Sequence, residues 1–311
     1  MSKLRIVITG ASGFVGKDLL RFLDEELYEI TVISRDKKKL ENKFSKSVQV
    51  VEADLLNVTS LKSAFENKDV LINLAAEVRN HDMLEKTNVQ GTKNCIEALQ
   101  NSSIKKVIHL SSVGVVGKPY SDNLRIIDEN CDTTPQNEYE RTKLISEELF
   151  VKSAESNLFD LLVLRPTNVF GEKHPFNALL NLMQTLQKES ILVFTNEAKV
   201  NYVYVSDLSQ VIVSSLEKKI ENGIYNVGNA MDLKDFYSII AEALELKARI
   251  IKVPSFLVKF VSKLGISKLQ SISNQTVYSD EKLKKFISYS FGVEKGINNT
   301  VKYYKQQGLL K

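Results

Sequence analysis

Cysteine and histidine are scarce in this sequence, and it has no long apolar run. Two cysteines and three histidines among 311 residues are too few for a disulfide framework or a zinc site. No segment approaches the roughly 20 apolar residues of a membrane-spanning helix, and the glycines of LRIVITGASG interrupt any signal-peptide core. We therefore expect a cytoplasmic protein with no bound metal and no membrane span.

A strong excess of charge is also missing. The net charge is +4, and no block of lysine and arginine is long enough for a nucleic-acid-binding arm. With 43% apolar and 26% charged residues, the chain has the composition of a globular protein with a large core. This balance favours a small anionic ligand and argues against nucleic acid as a partner.

What the sequence does contain is a regular alternation of short Ile- and Val-rich runs with longer amphipathic segments. Such alternation is typical of an α/β fold in which helices cover both faces of a parallel sheet. We predict a Rossmann doubly wound parallel sheet with right-handed crossovers. The six predicted strands cover residues 5–9, 30–34, 48–53, 70–75, 106–111 and 161–165.

The second half of the chain departs from this alternation and is mainly helical in pattern toward its end. We expect a dinucleotide-binding domain of residues 1–167, to which 203–228 return, and a smaller, mainly helical C-terminal substrate-binding lobe of 168–202 and 229–311. Within that lobe, residues 253–266 place apolar side chains on one helical face with lysines opposite. This stripe is typical of packing within a lobe, and contact with an anionic membrane surface is the alternative.

Three of the thirteen glycines lie in one short segment, TGASGFVG, at residues 9–16. The segment follows the first predicted strand and precedes a predicted helix, which is the setting of a dinucleotide-binding turn. We expect Gly10 to allow the tight turn, Gly13 to allow close approach of a pyrophosphate and Gly16 to allow packing of the helix on the strand. The alternative is a glycine-rich turn that binds no ligand.

The end of the second predicted strand bears on the choice of cofactor. An acidic residue there accepts a hydrogen bond from the ribose 2′-hydroxyl of NAD, whereas a basic residue pairs with the 2′-phosphate of NADP. This chain has Ser34 and Arg35, then Asp36, with a further positive charge at Lys38. Because a guanidinium binds phosphate through two parallel hydrogen bonds, we predict NADP, with NAD as the alternative that Asp36 favours. The alternative is that Arg35 is only a solvated surface charge that binds no cofactor.

Tyr139 and Lys143 stand four residues apart, on one face of a predicted helix that follows the fifth strand. A phenol titrates near pH 10, and an ammonium a few ångströms away lowers that pKa, so that the tyrosine can serve as acid or base. The fifth strand leads into Ser112, whose hydroxyl can donate to the carbonyl oxygen that Tyr139 protonates. Tyr278 and Lys282 have the same spacing but no strand of the sheet before them. We therefore predict that Ser112, Tyr139 and Lys143 are catalytic.

Together these segments resemble the extended short-chain dehydrogenase/reductases, the NAD(P)-dependent epimerase/dehydratase group that acts on nucleotide sugars. The resemblance covers essentially the whole chain. It rests on TGASGFVG (9–16), Asp54-Leu55, NLAA (73–76), TNVQGT (87–92), the set of Ser112, Tyr139 and Lys143, RPTNVFG (165–171), NYVYVSD (201–207) and IYNVGN (224–229).

The resemblance implies hydride transfer at a sugar carbon, in a homodimer that pairs the helices at 83–100 and 139–156. It implies substrate contacts at Ser112, Val113 and Asn168. It also implies cofactor contacts at Gly10, Ser12, Gly13, Phe14, Val15, Gly16, Ser34, Arg35, Lys38, Asp54, Leu55, Leu74, Ala75, Ala76, Asn88, Tyr139, Lys143 and Pro166.

The sequence differs from the family pattern in two segments. One is the segment that carries the acid and base of the dehydratases, and the other is the segment that binds the diphosphate in many members. Dehydratases carry an acid and a base directly after the serine position, where this chain has Val113 and Gly114, which cannot exchange protons. In the second half, Val200 and Asn201 stand where many members have Arg and Asp. The arginine that would bind the diphosphate is therefore missing, and Lys199 is the candidate to replace it as a point charge. Dehydration is therefore not expected, and the substrate class is less firmly indicated.

Two reactions are left, and both use the same three catalytic residues. A ketoreductase consumes a hydride in each turnover and draws on NADPH, whereas an epimerase returns the hydride and retains NAD. Because of Arg35, we predict reduction of a nucleotide-sugar keto group by a 4-ketoreductase, with 4-epimerisation as the alternative. Tyr139 would be the acid, Lys143 would lower its pKa and Ser112 would polarise the carbonyl. A non-catalytic NADP-binding regulator is the alternative from another class.

Overall fold

Strands and helices alternate along the chain in the computed structural model, which describes residues 2–38, 40, 43–117, 121, 123–176, 178–189, 191–195, 197–254 and 272–311. The strands are β1 (Leu4–Thr9), β2 (Tyr28–Ser34), β3 (Gln49–Glu52), β4 (Val70–Asn73), β5 (Lys106–Leu110), β6 (Arg125–Ile127), β7 (Asp160–Pro166), β8 (Asn168–Phe170), β9 (Ile191–Phe194), β10 (Lys199–Tyr204), β11 (Gly223–Val227), β12 (Asn229–Asp232), β13 (Arg249–Lys252) and β14 (Thr276–Tyr278). The helices are α1 (Phe14–Leu19), α2 (Val58–Phe65), α3 (His81–Leu84), α4 (Gly91–Leu99), α5 (Glu138–Glu155), α6 (Ala178–Glu189), α7 (Val205–Leu216), α8 (Leu233–Ala243), α9 (Glu281–Lys284) and α10 (Gly292–Gln306). A π-helical stretch, Glu85–Gln90, joins α3 to α4, and a 3₁₀ turn, Val113–Val116, follows β5.

Seven of these strands form one large sheet in the order β11-β7-β5-β4-β1-β2-β3. β1 pairs in parallel with β2 on one side and with β4 on the other, so the chain changes direction across the sheet at β1. Such a switch point is where α/β sheets bind ligands, at the carboxyl ends of the strands. The predicted Rossmann doubly wound sheet is confirmed, and each of the six predicted strands is present.

The strands of the large sheet are apolar on both faces because helices cover them. Val7 and Ile8 of β1 are both fully buried, although their side chains point to opposite faces. On one face, Val7 belongs to a cluster that takes Leu61 from α2, Cys95 from α4 and Phe150 from α5. Burial on both faces explains the nearly continuous apolar runs in the sequence.

The chain divides into two compact units. The first comprises Met1–Gly117, Asp132–Pro166 and Leu208–Tyr225. The second comprises Lys118–Cys131, Thr167–Asp207 and Asn226–Lys311. The assignment of a dinucleotide-binding domain and a substrate-binding lobe to particular segments stays a prediction.

The second unit contains short strands besides its helices. They form a three-stranded sheet, β12-β10-β8, and two parallel pairs, β13 with β9 and β14 with β6. Except for β10, which has six residues, these strands are three or four residues long and too short to produce a readable alternation. They accompany the helices α6, α8, α9 and α10 of this unit.

The apolar stripe predicted at 253–266 lies outside the described residues from position 255 onward. Packing within the lobe and contact with an anionic membrane surface therefore both stay predictions. Within the described ranges, no helix combines the length and the apolar character that crossing a bilayer requires.

Candidate active site

The glycine turn joins β1 to α1, and two of its glycines are required by the fold itself. Gly10 has a φ of +72°, and a Cβ there would lie 2.6 Å from the Ala75 amide nitrogen. A Cβ on Gly16 would lie 2.5 Å from the Cα of Ala11. Gly13 is exposed, and a Cβ on it would meet only the Gly10 carbonyl oxygen, at 3.1 Å. The open surface at Gly13 is therefore the part of the turn that fits a ligand such as a pyrophosphate.

Side chains at three neighbouring strand ends hold this turn in place. Thr9 Oγ1 accepts from the Ala75 amide at 3.1 Å and donates to Asn73 Oδ1 at 2.6 Å. Asn73 Nδ2 lies 3.1 Å from His109 Nδ1, and Ser146 Oγ lies 3.5 Å from His109 Nε2. Because Ser146 belongs to α5, these contacts link the glycine turn to the helix that carries the predicted tyrosine and lysine.

The residues predicted to choose the cofactor follow β2 and lie at the surface. Ser34 Oγ donates to the Asp36 carbonyl at 2.9 Å and accepts from the Asp36 amide at 3.1 Å. This turn leaves Arg35 and Lys38 exposed. Glu77, after β4, accepts from the backbone amides that follow it, and these bonds, with a smaller contribution from the charge of Arg35, hold its pKa below the usual value. Arg35 is therefore a basic group at the strand end with a carboxylate in its electrostatic range.

The predicted adenine-side pair, Asp54 and Leu55, is fixed by neighbouring helices. The Asp54 amide donates to Ser60 Oγ of α2 at 3.1 Å, and Asn94 Nδ2 of α4 donates to the Leu55 carbonyl at 2.7 Å. The segment is partly exposed and could border a ligand. Among the other predicted cofactor contacts Ser12 is exposed, and the partly buried ones are Phe14, Val15, Leu74, Ala75 and Ala76.

Asn88, the predicted cofactor contact after β4, is buried in the first unit. It lies in the π-helical stretch and is only 2% exposed. Its Nδ2 donates to the Glu77 carbonyl and to Thr142 Oγ1, both at 3.0 Å, and its Oδ1 accepts from the Glu77 amide at 2.8 Å. Because the amide bonds to both of them, Asn88 supports the segment after β4 and helix α5, and its contact with a cofactor stays a prediction.

The three predicted catalytic residues lie together in the first unit. Ser112 stands at the start of the 3₁₀ turn, and its Oγ accepts from the Gly114 amide at 3.0 Å. Tyr139 lies in the first turn of α5, and its hydroxyl shares a hydrogen bond with Ser112. One turn later, Lys143 donates from Nζ to the Leu110 carbonyl at 2.6 Å. The structure thus pairs the two hydroxyl groups and keeps the ammonium at the end of β5.

The acid–base properties of this group differ from the sequence-based expectation. Burial raises the pKa of Tyr139, the charge of Glu140 raises it further, and the hydrogen bond with the neighbouring hydroxyl lowers it. The expected lowering of this pKa by Lys143 is therefore corrected, because burial outweighs the favourable contacts of the phenolate. Burial also lowers the pKa of Lys143 to about 8, although Glu147 opposes this change. The phenolate of Tyr139 is consequently disfavoured in this structure.

Helix α5 turns a polar face toward the sheet, which fixes its rotation. Glu147 is almost fully buried and accepts hydrogen bonds from Arg165 Nε, at 3.1 and 3.2 Å, and from the Ser111 hydroxyl. Ser146 Oγ lies 2.7 Å from Thr92 Oγ1 of α4. Buried polar contacts of this kind specify one arrangement of the helix, because any other would leave the same groups unpaired.

Val113 and Pro166 have little exposed surface. Val113 is only 9% exposed and Pro166 is buried. Their contacts with a substrate and a cofactor stay predictions. Within the described residues, no group of three or more His, Cys, Asp or Glu side chains could hold a metal ion.

In the second unit, the predicted substrate residue Asn168 is exposed, and its Nδ2 donates to the Asn201 carbonyl at 3.0 Å. Asn201 itself is buried and donates from Nδ2 to the Thr276 carbonyl at 2.9 Å, so it joins β10 to β14. Lys199, considered above as a point charge for a diphosphate, is paired with Asp232 at 2.7 Å. This ion pair engages the charge that was expected to compensate for the missing arginine.

Sequence reasoning missed the supporting residues beneath the site. The signal that could have found Asn73 and His109 is a polar residue inside an otherwise apolar strand, as in VLIN and KVIHL. Such residues need buried partners, and the order of the strands shows that the two neighbour each other.

A parallel sheet with its switch point at β1, a ligand-accessible glycine turn after that strand and a paired serine and tyrosine define a dinucleotide-binding protein of the Rossmann class. The model of the NAD dependent epimerase/dehydratase family matches residues 6–228. The chain belongs to this family.

Several known proteins are similar to this chain. An N-acetyl-α-D-glucosaminyl-diphospho-ditrans,octacis-undecaprenol 4-epimerase of Escherichia coli O157:H7 is 28% identical over 236 residues, which cover 74% of this chain and 68% of the relative. A UDP-N-acetyl-α-D-glucosaminuronate decarboxylase of Bacillus cytotoxicus is 24% identical and covers 98% of both chains. The crystal structure of a UDP-glucuronic acid 4-epimerase from Bacillus cereus in complex with NAD superposes with a TM-score of 0.76, at 20% identity, covering 98% of this chain and 99% of that one. This last likeness shows the fold.

Proposed function

We propose that this chain is an NAD(P)-dependent oxidoreductase that reduces a keto group of a nucleotide sugar, as a 4-ketoreductase does. The observation that carries the proposal is the placement of the Tyr139 hydroxyl, which is hydrogen-bonded to Ser112, with Lys143 one helical turn further on. Two neighbouring hydroxyl groups can both donate to one carbonyl oxygen, and the phenol can protonate that oxygen when the carbon receives a hydride. The family supports hydride chemistry, and relatives named for UDP-linked sugars support the substrate class.

In this proposal each residue has one role. Tyr139 donates the proton to the substrate oxygen, and the Ser112 hydroxyl donates a hydrogen bond to the same oxygen and polarises the carbonyl. Lys143 offers its charge next to the phenol and toward the cofactor ribose. Val113 contacts the sugar nucleotide, and Asn168 stays a predicted substrate contact of the second unit. NAD(P), when bound, supplies the hydride.

We propose that the cofactor is NADP, held at Gly13 and at Arg35. The exposed guanidinium and the serine in place of an acidic residue support this choice. Calorimetry with both dinucleotides tests it. Arg35→Ala should weaken NADP binding tenfold or more, or about 1.4 kcal/mol, and leave NAD binding nearly unchanged. Arg21→Ala, which removes another exposed arginine, is the control. If Arg35→Ala weakened the binding of NADP and NAD equally, Arg35 would not contact the 2′-phosphate, and NAD would be favoured as the cofactor.

A 4-epimerase that retains NAD is the second candidate, because two of the similar proteins are named 4-epimerases. Both reactions use Ser112, Tyr139 and Lys143, but an epimerase begins with the tyrosine as base. Analysis of the nucleotide released from the purified protein separates the two. Tightly retained NAD would favour the epimerase, whereas exchangeable NADP and loss of NADPH absorbance with a keto-sugar nucleotide would support the reductase.

Tyr139→Phe tests whether the chain is an enzyme at all. This change removes only the hydroxyl, so cofactor binding should persist while turnover falls at least a hundredfold, the usual contribution of a general acid. A cofactor-dependent turnover that is unaffected would refute the role of the tyrosine. A protein that binds NADP but turns over no keto-sugar nucleotide would favour the non-catalytic regulator.

We also propose a cytoplasmic homodimer that pairs the helical segments 83–100 and 139–156. Light scattering on the purified chain gives the mass of the assembly, and a monomer would contradict this proposal.

A further inference from the structure

Three buried polar side chains form a row across the carboxyl ends of β1, β4 and β5. Thr9 pairs in register with Asn73, and Asn73 pairs with His109. Thr9 Oγ1 lies 2.6 Å from Asn73 Oδ1, and Asn73 Nδ2 lies 3.1 Å from His109 Nδ1. The row ends on α5, where Ser146 Oγ lies 3.5 Å from His109 Nε2 and the rings of Phe150 and His109 are 4.7 Å apart. Because buried polar groups are paired in folded proteins, the direction of each of these hydrogen bonds is constrained.

The glycine turn fixes the direction at one end of the row. The Ala75 amide can only donate, and it donates to Thr9 Oγ1 at 3.1 Å. The Thr9 hydroxyl then donates its own hydrogen to Asn73 Oδ1. This orientation turns Asn73 Nδ2 toward His109, so His109 Nδ1 must be the acceptor. The opposite orientation of the Asn73 side chain would leave the Thr9 hydroxyl hydrogen without an acceptor among the described residues.

The contacts of α4 and α5 give the same direction at the other end. Thr92 Oγ1 donates to the Asn88 carbonyl at 2.7 Å, so the Ser146 hydroxyl is the donor in its own 2.7 Å contact with Thr92 Oγ1. Ser146 Oγ can then accept from His109 Nε2. An imidazole that accepts at Nδ1 and donates at Nε2 is neutral. Burial, and then the charge of Lys143, lower the pKa of His109 well below its usual value, which agrees with a neutral ring.

We propose that His109 is a positioning residue for the glycine turn: with its proton on Nε2 it joins Asn73 to Ser146 and thereby holds the turn in place relative to α5. The Ala75 amide at the far end of the row lies only 2.6 Å from where a Cβ on Gly10 would stand, so the row ends against the turn itself. Helix α5 also carries the predicted catalytic tyrosine and lysine. The inference rests on the proposed function only in that this turn holds the dinucleotide.

Packing alone is the competing explanation of the buried histidine. A ring held only by burial and by its contact with Phe150 would have no partner that selects one nitrogen, so both neutral tautomers would be populated. A proton on Nδ1 alone would require every hydrogen bond of the row to reverse. The position of the ring proton therefore separates a directed row of hydrogen bonds from packing.

The first test reads the tautomer by ¹⁵N NMR of protein labelled in histidine, because protonated and unprotonated ring nitrogens resonate in separate regions. The chain has three histidines, and His109→Gln identifies the signals of this one by their loss. We expect Nε2 of His109 to carry the proton at neutral pH and Nδ1 to carry none. A proton on Nδ1, or a mixture of the two tautomers, would overturn the inference.

Asn73→Asp should move the proton. A carboxylate has nearly the shape of the amide but no N–H to donate, so Nδ1 of His109 should become protonated. Asn57→Asp is the matched control, since Asn57 is exposed and its Oδ1 accepts from the Ser60 amide, a bond that a carboxylate keeps. The same Nδ1 signal in both variants would contradict the assigned direction. If Asn73→Asp does not fold, the spectrum of the unchanged chain still decides between the tautomers.

Ser146→Ala tests whether the row holds the turn. The change removes the acceptor of His109 Nε2 at a distance from the turn, and alanine is favourable within a helix. Hydrogen exchange of the Ala75 amide, which measures how often its bond opens, should become about threefold faster or more, as expected for the loss of one hydrogen bond. Ser153→Ala is the control, because the Ser153 hydroxyl donates to the Leu149 carbonyl within α5. Equal exchange rates in the two variants would overturn the positioning role.

These measurements need neither substrate nor cofactor, so a failure of the inference differs from a failure of the proposed function. A chain that binds neither NADP nor NAD but shows the Nε2 proton and the Ala75 response would refute the proposed function and leave the role of His109 in place. A chain that reduces a keto-sugar nucleotide with a proton on Nδ1 of His109 would refute the inference alone.

Discussion

Replacing single glycines of the turn after β1 tests whether it is built for packing or for a ligand. At Gly16, alanine gains about 1 kcal/mol of helix propensity. Its Cβ would lie 2.5 Å from the Ala11 Cα and from the Gly10 carbonyl oxygen, which are backbone atoms that cannot yield without moving the turn. Overpacking of this kind costs about 1–3 kcal/mol, and because both contacts are severe we expect a net loss of about 2 kcal/mol in the free energy of unfolding.

At Gly13 the same substitution should have the opposite profile. The backbone is extended there, with φ −73° and ψ −179°, which alanine adopts without strain. The single contact of a Cβ, with the Gly10 carbonyl oxygen at 3.1 Å, is offset by the reduced entropy of the unfolded chain, so the net change should stay within about 1 kcal/mol. The methyl group would, however, stand where a pyrophosphate must approach, so the Kd for the dinucleotide should rise tenfold or more.

Two measurements on the same samples separate these effects. The chain has no tryptophan, so urea unfolding is followed by circular dichroism, without added cofactor, and dinucleotide binding by calorimetry. Gly16→Ala should lose stability, whereas Gly13→Ala should keep its stability and lose affinity. If Gly13→Ala binds the dinucleotide as tightly as the unchanged protein, the turn does not hold the pyrophosphate. If both variants are equally unstable, the packing argument for Gly16 is wrong.

Three further predictions concern the buried polar groups around α5. Glu147→Leu should reduce the free energy of unfolding by about 3–5 kcal/mol, because it removes the buried carboxylate that pairs with the guanidinium of Arg165, whose side chain is 4% exposed. The Glu147→Leu, Arg165→Met double variant should regain most of this loss in the same urea titration. The ratio kcat/KM should decline as the pH rises through about 8, where Lys143 loses its proton, and Lys143→Arg should remove this limb from the profile. Burial and then the charge of Lys143 lower the pKa of His109 well below 6.5, so the unfolded chain takes up a proton that the folded chain does not. Stability should therefore fall by up to about 1.4 kcal/mol per unit as the pH is lowered from 6.5 to 5.5, and His109→Gln should flatten this slope.

Much of the fold could be predicted because the evidence for it is local. Apolar runs such as RIVIT and LLVLR, separated by amphipathic segments, indicate parallel strands under helices before any contact is known. The turn at Gly10 and Gly16 was likewise predictable, because the positive φ of Gly10 and the contacts of Gly16 with Gly10 and Ala11 arise within one βα unit. The short strands of the second unit were not, because three or four residues carry no period.

The proximity of Ser112, Tyr139 and Lys143 was predictable from the sequence, but their acid–base properties were not. Tyr139 and Lys143 share a helix face by their spacing alone, and Ser112 follows a strand. The direction of the Tyr139 pKa depends on burial, which many residues distant in sequence produce together. The hydrogen bonds of Asn88 likewise depend on Glu77 and on α5, and no spacing along the chain reveals them.

The sequence by itself determined the parallel sheet, the position of the glycine turn and the identity of the serine, tyrosine and lysine, because periodicity, turn chemistry and helical spacing act over a few residues. Only the tertiary structure decided that burial raises the pKa of Tyr139, that Val113 and Asn88 are buried and that Glu140 lies beside Gly114. Desolvation and close packing decide such matters, and both depend on groups that the fold brings together from distant parts of the chain.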